Sequence, residues 1–96
     1  MLLTLEHLLE IENFAGLYFT IDEVAEIMEL DKDQVHQWYA DTESEFYKSY
    51  KKGFLVSESK VRKCILDLAL RNSSPAQDAI KKIAKDARNK NMRYEQ

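Results

Sequence analysis

Thr20-Ile21-Asp22-Glu23-Val24-Ala25-Glu26-Ile27-Met28-Glu29-Leu30-Asp31-Lys32-Asp33-Gln34-Val35-His36-Gln37-Trp38-Tyr39-Ala40 decides the fold. The stretch opens on a capping box. The Thr20 hydroxyl can accept from the Glu23 amide while the Glu23 carboxylate reaches back to the Thr20 amide. Ile21, Val24, Ala25 and Met28 then fall at helical core spacing, and the helix should end near Glu29. Asp31 with Gln34 three residues on marks a second start, followed by Val35, Trp38 and Tyr39 on one face. A helix-turn-helix needs a small residue where the second helix crosses the first, an apolar residue in the turn, and two apolar residues three apart on the second helix. Ala25, Leu30, and Val35 with Trp38 meet those needs. Glu29 stands where such a turn often has Gly, so a positive φ there would be strained.

The outward face of the second helix carries Lys32, Asp33, His36, Gln37 and Ala40, with Gln34 at its edge. Gln34 or Gln37 can pair with an adenine edge, and Lys32 with a phosphate or a guanine. Asp31, Asp33 and Asp41 repel phosphates. The competing reading is a tri-helical module that packs on, or binds, protein.

Working outward, the spacing of Leu2, Leu5, Leu8 and Leu9 predicts a first helix over 2–14, ended by Asn13 to Gly16. Thr42-Glu43-Ser44-Glu45 reads as a further capping box. It opens a long helix with Phe46, Tyr47 and Tyr50, which continues through Gly53 or bends there; an interior Gly costs about 1 kcal/mol relative to Ala. Val61, Ile65 and Leu68, with Cys64, form its next apolar stripe. Asn72-Ser73-Ser74-Pro75 breaks the chain, with Ser74 as cap, Pro75 at the first helical position and Gln77 completing a box. The last helix places Ala76, Ala79, Ile80, Ile83, Ala84 and Ala87 on one face, with Lys81, Lys82, Lys85 and Arg88 opposite as candidate contacts to DNA phosphates or to an acidic partner surface, a solvated face being the competing reading. A polar tail from Asn89 should fray.

The fold class expected is all-α: an N-terminal three-helix helix-turn-helix unit over 1–41, then an antiparallel two-helix hairpin with a basic C-terminal tail over 42–96. Composition agrees. Two Gly and one Pro in 96 residues leave few hairpin turns for a sheet, and 45% hydrophobic with 32% charged residues is globular. No run of about 18 apolar residues predicts a membrane span, and Met1 to Glu6 holds no basic segment typical of a signal peptide. One cysteine makes no internal disulfide, which fits a reducing, cytoplasmic setting.

The net charge of −3 conceals an asymmetry. Residues 1–45 hold twelve Asp or Glu against one Lys, net −11; residues 46–96 hold thirteen Lys or Arg against five acids, net +8. Such a split suits head-to-tail association of copies, or a basic half meeting a polyanion while the acidic half meets protein. Solvated helix faces are the plainer reading.

Nothing predicts catalysis, a metal or a cofactor. His7 and His36 lie far apart with no Cys cluster, no glycine-rich phosphate loop exists, and Cys64 on its apolar stripe reads as buried packing. Phe46, Tyr47, Tyr50 and Phe54, interleaved with Lys48, Lys51 and Lys52, can form a nucleic-acid platform but read better as core with a basic edge.

The order of parts resembles the small terminase subunits of tailed bacteriophages. Phe19-Thr20-Ile21-Asp22-Glu23-Val24-Ala25 is similar to the opening of their helix-turn-helix, and Glu45-Phe46-Tyr47-Lys48-Ser49-Tyr50-Lys51-Lys52-Gly53 to the segment that follows. Leu68-Ala69-Leu70-Arg71-Asn72-Ser73-Ser74-Pro75-Ala76-Gln77 is similar to their turn into the last helix. The resemblance spans about residues 19–87. It implies a non-catalytic packaging factor that binds viral DNA, modulates the large terminase subunit and assembles into rings through a helical hairpin. Lys32, His36 and Gln37 would then face DNA, and residues 54–87 would assemble. The readings of a different class are a dimeric transcriptional regulator and a virion or structural adaptor that binds no DNA.

Overall fold

Each helix of this chain begins on a side-chain cap. The computed structural model describes residues 2–94 and consists of five helices: α1 (Leu5–Gly16), α2 (Ile21–Ile27), α3 (Lys32–Ala40), α4 (Glu45–Leu70) and α5 (Ser74–Met92), with no strand among the described residues. Met1, the start of the 1–41 unit expected above, and Glu95 and Gln96, the end of the expected tail, lie outside the described residues. No described helix is long and apolar enough to cross a membrane.

The caps of α2 and α3 stand where the spacing places them. Thr20 and Glu23 form a reciprocal box, the Thr20 amide donating to Glu23 Oε1 at 2.9 Å and the Glu23 amide to Thr20 Oγ1 at 3.2 Å. Asp31 Oδ1 accepts from the Gln34 amide at 3.1 Å.

Three other boundaries differ from the sequence reading. α1 starts at Leu5 rather than Leu2, because Thr4 is its cap. Its partner in the box is His7, whose Nδ1 accepts from the Thr4 amide. The leucine stripe is not the buried face either. Leu2, Leu5 and Leu9 are exposed, whereas Ile11 and Ala15 are fully buried and Leu8 and Phe14 pack beside them.

At α4 the cap is Ser44, not Thr42. Its hydroxyl donates to the Trp38 carbonyl and accepts from the Tyr47 amide, closing the end of α3 and the start of α4 with one group. α5 is capped by Ser73, one residue before the expected Ser74, and continues to Met92 through the stretch expected to fray. Gln77 makes no box; its Nε2 donates to the Ala69 carbonyl.

Three helices end the same way. Tyr18, Glu29 and Asn72 have φ of 67°, 56° and 70°. After each, the next amide reaches five residues back: Phe19 to the Phe14 carbonyl, Leu30 to Ala25, Ser73 to Leu68. These are Schellman ends, which favour Gly at the left-handed position, yet none has it. Asn tolerates that region, and Tyr18 recovers contact through its ring on Phe54, 5.3 Å between centroids. Glu29 is exposed and has neither compensation. Replacing it with Gly should raise the stability of residues 1–58 by about 1 kcal/mol, read as a higher denaturation midpoint at unchanged m-value. A fall would show that the Glu29 side chain does something the backbone does not require.

The chain divides into two compact units, Met1–Glu58 and Ser59–Gln96. The core of the first is Ile11, Val24, Ala25, Val35 and Phe46, ringed by Leu3, Leu8, Phe14, Phe19, Ile21, Met28, Leu30, Trp38 and Tyr50. The opening turns of α4 therefore belong with α1, α2 and α3. Phe46 stacks on Trp38 at 6.0 Å and on Tyr50 at 6.1 Å. The Tyr50 hydroxyl donates to the Phe19 carbonyl at 2.6 Å. Burial, then the neighbouring Tyr39 and Glu23, push its pKa up from the usual tyrosine value.

α4 runs unbroken through Gly53, which is buried against α1. A Cβ built there would overlap the Glu12 carbonyl oxygen and lie 2.8 Å from the carbonyl carbon; one built at Gly16 would lie 2.9 Å from Ser57 Oγ. The two backbones touch, and Lys52 pairs with Glu12 beside the crossing at 3.8 Å.

The second unit holds the last turns of α4 and all of α5. Ala69 and Ala76 are its buried apolar residues among those described. Val61, Leu66, Leu68 and Leu70 remain exposed.

Candidate nucleic-acid interface

α3 turns the expected residues outward. Lys32, Asp33, His36, Gln37 and Ala40 are exposed and Gln34 is half-buried, because Val35 and Trp38 face the core. Gln34 and Gln37 line an open hollow with Leu30, Asp31, Asp33 and Trp38, so both amides sit among carboxylates.

The two basic side chains of this face are already engaged. His36 Nε2 lies 2.5 Å from Asp22 Oδ1, and Lys32 Nζ lies 3.9 Å from Glu26 Oε1. Asp22 and Glu26 are one turn apart on α2, as Lys32 and His36 are on α3. Nothing in the spacing of residues 20–40 announces this pairing, since it depends on the angle between the helices. All four side chains are more than half exposed, so solvent and salt reach both pairs.

Lys81, Lys82, Lys85 and Arg88 lie on α5. All four are exposed, and among the described residues none pairs with a carboxylate within 4.0 Å. With α3 in the first unit and these four in the second, the two candidate groups occupy separate bodies. The charges of those bodies are opposite. Residues 1–58 carry thirteen Asp or Glu against four Lys, net −9, and residues 59–96 ten Lys or Arg against four acids, net +6.

The other singled-out side chains are placed as follows. Phe46 is fully buried, and Tyr47, Tyr50 and Phe54 are partly buried, with Tyr47 against Tyr39 at 5.5 Å. These rings are core rather than a stacking platform. On their outer edge Lys48 pairs with Glu43 at 3.6 Å. Cys64 is exposed, contrary to the packing its apolar neighbours suggest. Ile65 is the partly buried member of that stripe, while Val61 and Leu68 stay open beside the thiol. His7 is spent in the α1 cap. Among the described residues no group of three or more His, Cys, Asp or Glu is placed to hold a metal.

Searches against protein-family models, curated proteins and solved structures find no match to this chain.

Proposed function

We propose that this chain is a non-catalytic, self-assembling DNA-binding protein of the small terminase type. In this reading α2, its turn and α3 form a helix-turn-helix. The end of α4 and α5 form an antiparallel hairpin that joins copies, as a ring or another homo-oligomer. The large terminase subunit is the partner that the resemblance implies, in the cytoplasm of a host cell. The fit of Ala25, Leu30, Val35 and Trp38 to the helix-turn-helix pattern supports the first part, as does the left-handed Glu29 in the turn.

One observation carries the proposal. Residues 59–96 bury Ala69 and Ala76, expose Val61, Leu66, Leu68 and Leu70, and present on α5 Lys81, Lys82, Lys85 and Arg88, which pair with no carboxylate among the described residues. A unit of fewer than about 40 residues with so little core needs a partner to cover it. Exposed ion pairs contribute about 0–1 kcal/mol each, so apolar burial on α4 carries the association. The free lysines and arginine are left to meet phosphates.

Native mass and a salt-titrated mobility shift on duplex DNA test both halves. The expected results are a multimer and a log affinity that falls with log salt at a slope of about −3.6, the value for four phosphate contacts. Replacing Lys81, Lys82, Lys85 and Arg88 with Ala should abolish most of that slope. Cys64, the single thiol, should be slower to alkylate at concentrations where multimers form. A strict monomer at high concentration, or no DNA binding at low salt, overturns the corresponding half.

The second reading, an adaptor that binds protein and not DNA, is favoured by the pairing of Lys32 and His36 with carboxylates of α2 and by the −9 charge of residues 1–58. A stable protein complex with no duplex binding at low salt selects it.

A further inference from the structure

We infer that Asp22 and Glu26 mask α3 from polyanions, so that the affinity of its outward face for nucleic acid is set on α2 rather than on α3. The inference rests on the helix-turn-helix reading above and adds to it the residues that restrain it.

Lys32 is the only Lys or Arg before Lys48, so Lys32 and His36 are the two basic side chains of α3. Both positions are occupied from the neighbouring helix. Asp22 takes His36 at the start of α2, and Glu26 takes Lys32 one turn later. The pairs run antiparallel, as the crossing of α2 and α3 dictates. A phosphate approaching Lys32 must displace the Glu26 carboxylate and then remain beside it, and one approaching His36 meets Asp22 in the same way. Counterion release, the main source of nonspecific affinity, is lost when the cation's partner is already a protein carboxylate.

The pairs are not what joins the helices. Val24, Ala25 and Val35 are fully buried between them, whereas the charged side chains are open to water. Asp31 is different, because it caps α3 and cannot be exchanged without disturbing the helix. Asp22 and Glu26 have no such duty: the α2 cap is made by Thr20 and Glu23. Their carboxylates are therefore separable from the fold.

The test uses the full chain and a short mixed-sequence DNA duplex, with fluorescence anisotropy from about 50 to 200 mM salt. In the double variant D22N/E26Q, affinity at the low-salt end should rise about tenfold and the salt slope should steepen by about 1, the value for the one freed lysine. Adding Lys32→Ala and His36→Ala to that background should return both to the starting values. Far-ultraviolet circular dichroism and the thermal midpoint keep the comparison to folded protein. If the unaltered chain binds DNA through α5 and D22N/E26Q gains neither affinity nor slope, the masking inference is wrong and the proposed function stands. If only D22N/E26Q binds, masking stands and the role of α5 falls. If neither binds at any salt, both are wrong.

Discussion

Gly53→Ala should destabilise residues 1–58 by about 3 kcal/mol, at the upper end of the cost of overpacking a close contact. Helix propensity alone predicts the opposite sign. Gly53 lies in the middle of α4, where Ala is worth about 1 kcal/mol more than Gly. The added methyl, however, would occupy the space of the Glu12 carbonyl group. Its obstacle is backbone, which cannot swing aside as a side-chain tip can. α1 and α4 would have to separate, and Ile11 and Phe46, which share the core served by that crossing, would lose contact. Urea denaturation followed by the single tryptophan, Trp38, measures the effect. A midpoint that stays put or rises would mean that the helices do not meet at this residue. Gly16→Ala should be milder, because the group in its way is the Ser57 hydroxyl, which can rotate.

Phe46→Ala should cost about 3–5 kcal/mol, the range for truncating a buried aromatic ring. Phe46 is the largest fully buried side chain among the described residues, and its ring is stacked between Trp38 and Tyr50. Its loss opens a cavity where α3, α4 and the Tyr50 bond to the Phe19 carbonyl converge. Small domains hold only about 5–15 kcal/mol in total, so the variant should be close to unfolding at room temperature. Trp38 emission should shift to longer wavelength, with near-ultraviolet dichroism lost before helical signal. A Phe46→Ala protein with an unchanged denaturation midpoint would place the core elsewhere.

The two substitutions concern the same feature, the docking of the first turns of α4 against α1 and α3. Without that docking, α2 and α3 would keep their caps but lose the face they pack on. Residues 59–96 form a compact unit of their own. A DNA affinity carried by Lys81, Lys82, Lys85 and Arg88 should therefore survive better in Phe46→Ala than an affinity carried by α3.

The sequence by itself determined what acts over four residues or fewer. The Thr20–Glu23 box, the Asp31 cap, the Val35 and Trp38 spacing and the strained place at Glu29 were legible because a cap or a helical face is a local arrangement. The all-helical class followed from these signals and from the scarcity of Gly and Pro. Boundaries slipped by one to three residues where several hydroxyls competed. Thr42 lost to Ser44, whose hydroxyl also reaches the Trp38 carbonyl, and Ser74 lost to Ser73 once Asn72 had turned left-handed. Only the tertiary structure decided which side of α1 is inside, that Gly53 is a contact rather than a weak point, that Cys64 is open, and that Lys32 and His36 are answered by Glu26 and Asp22. Each of those depends on where a second helix lies, and apolar burial, which places it, is non-directional and sums over the whole core.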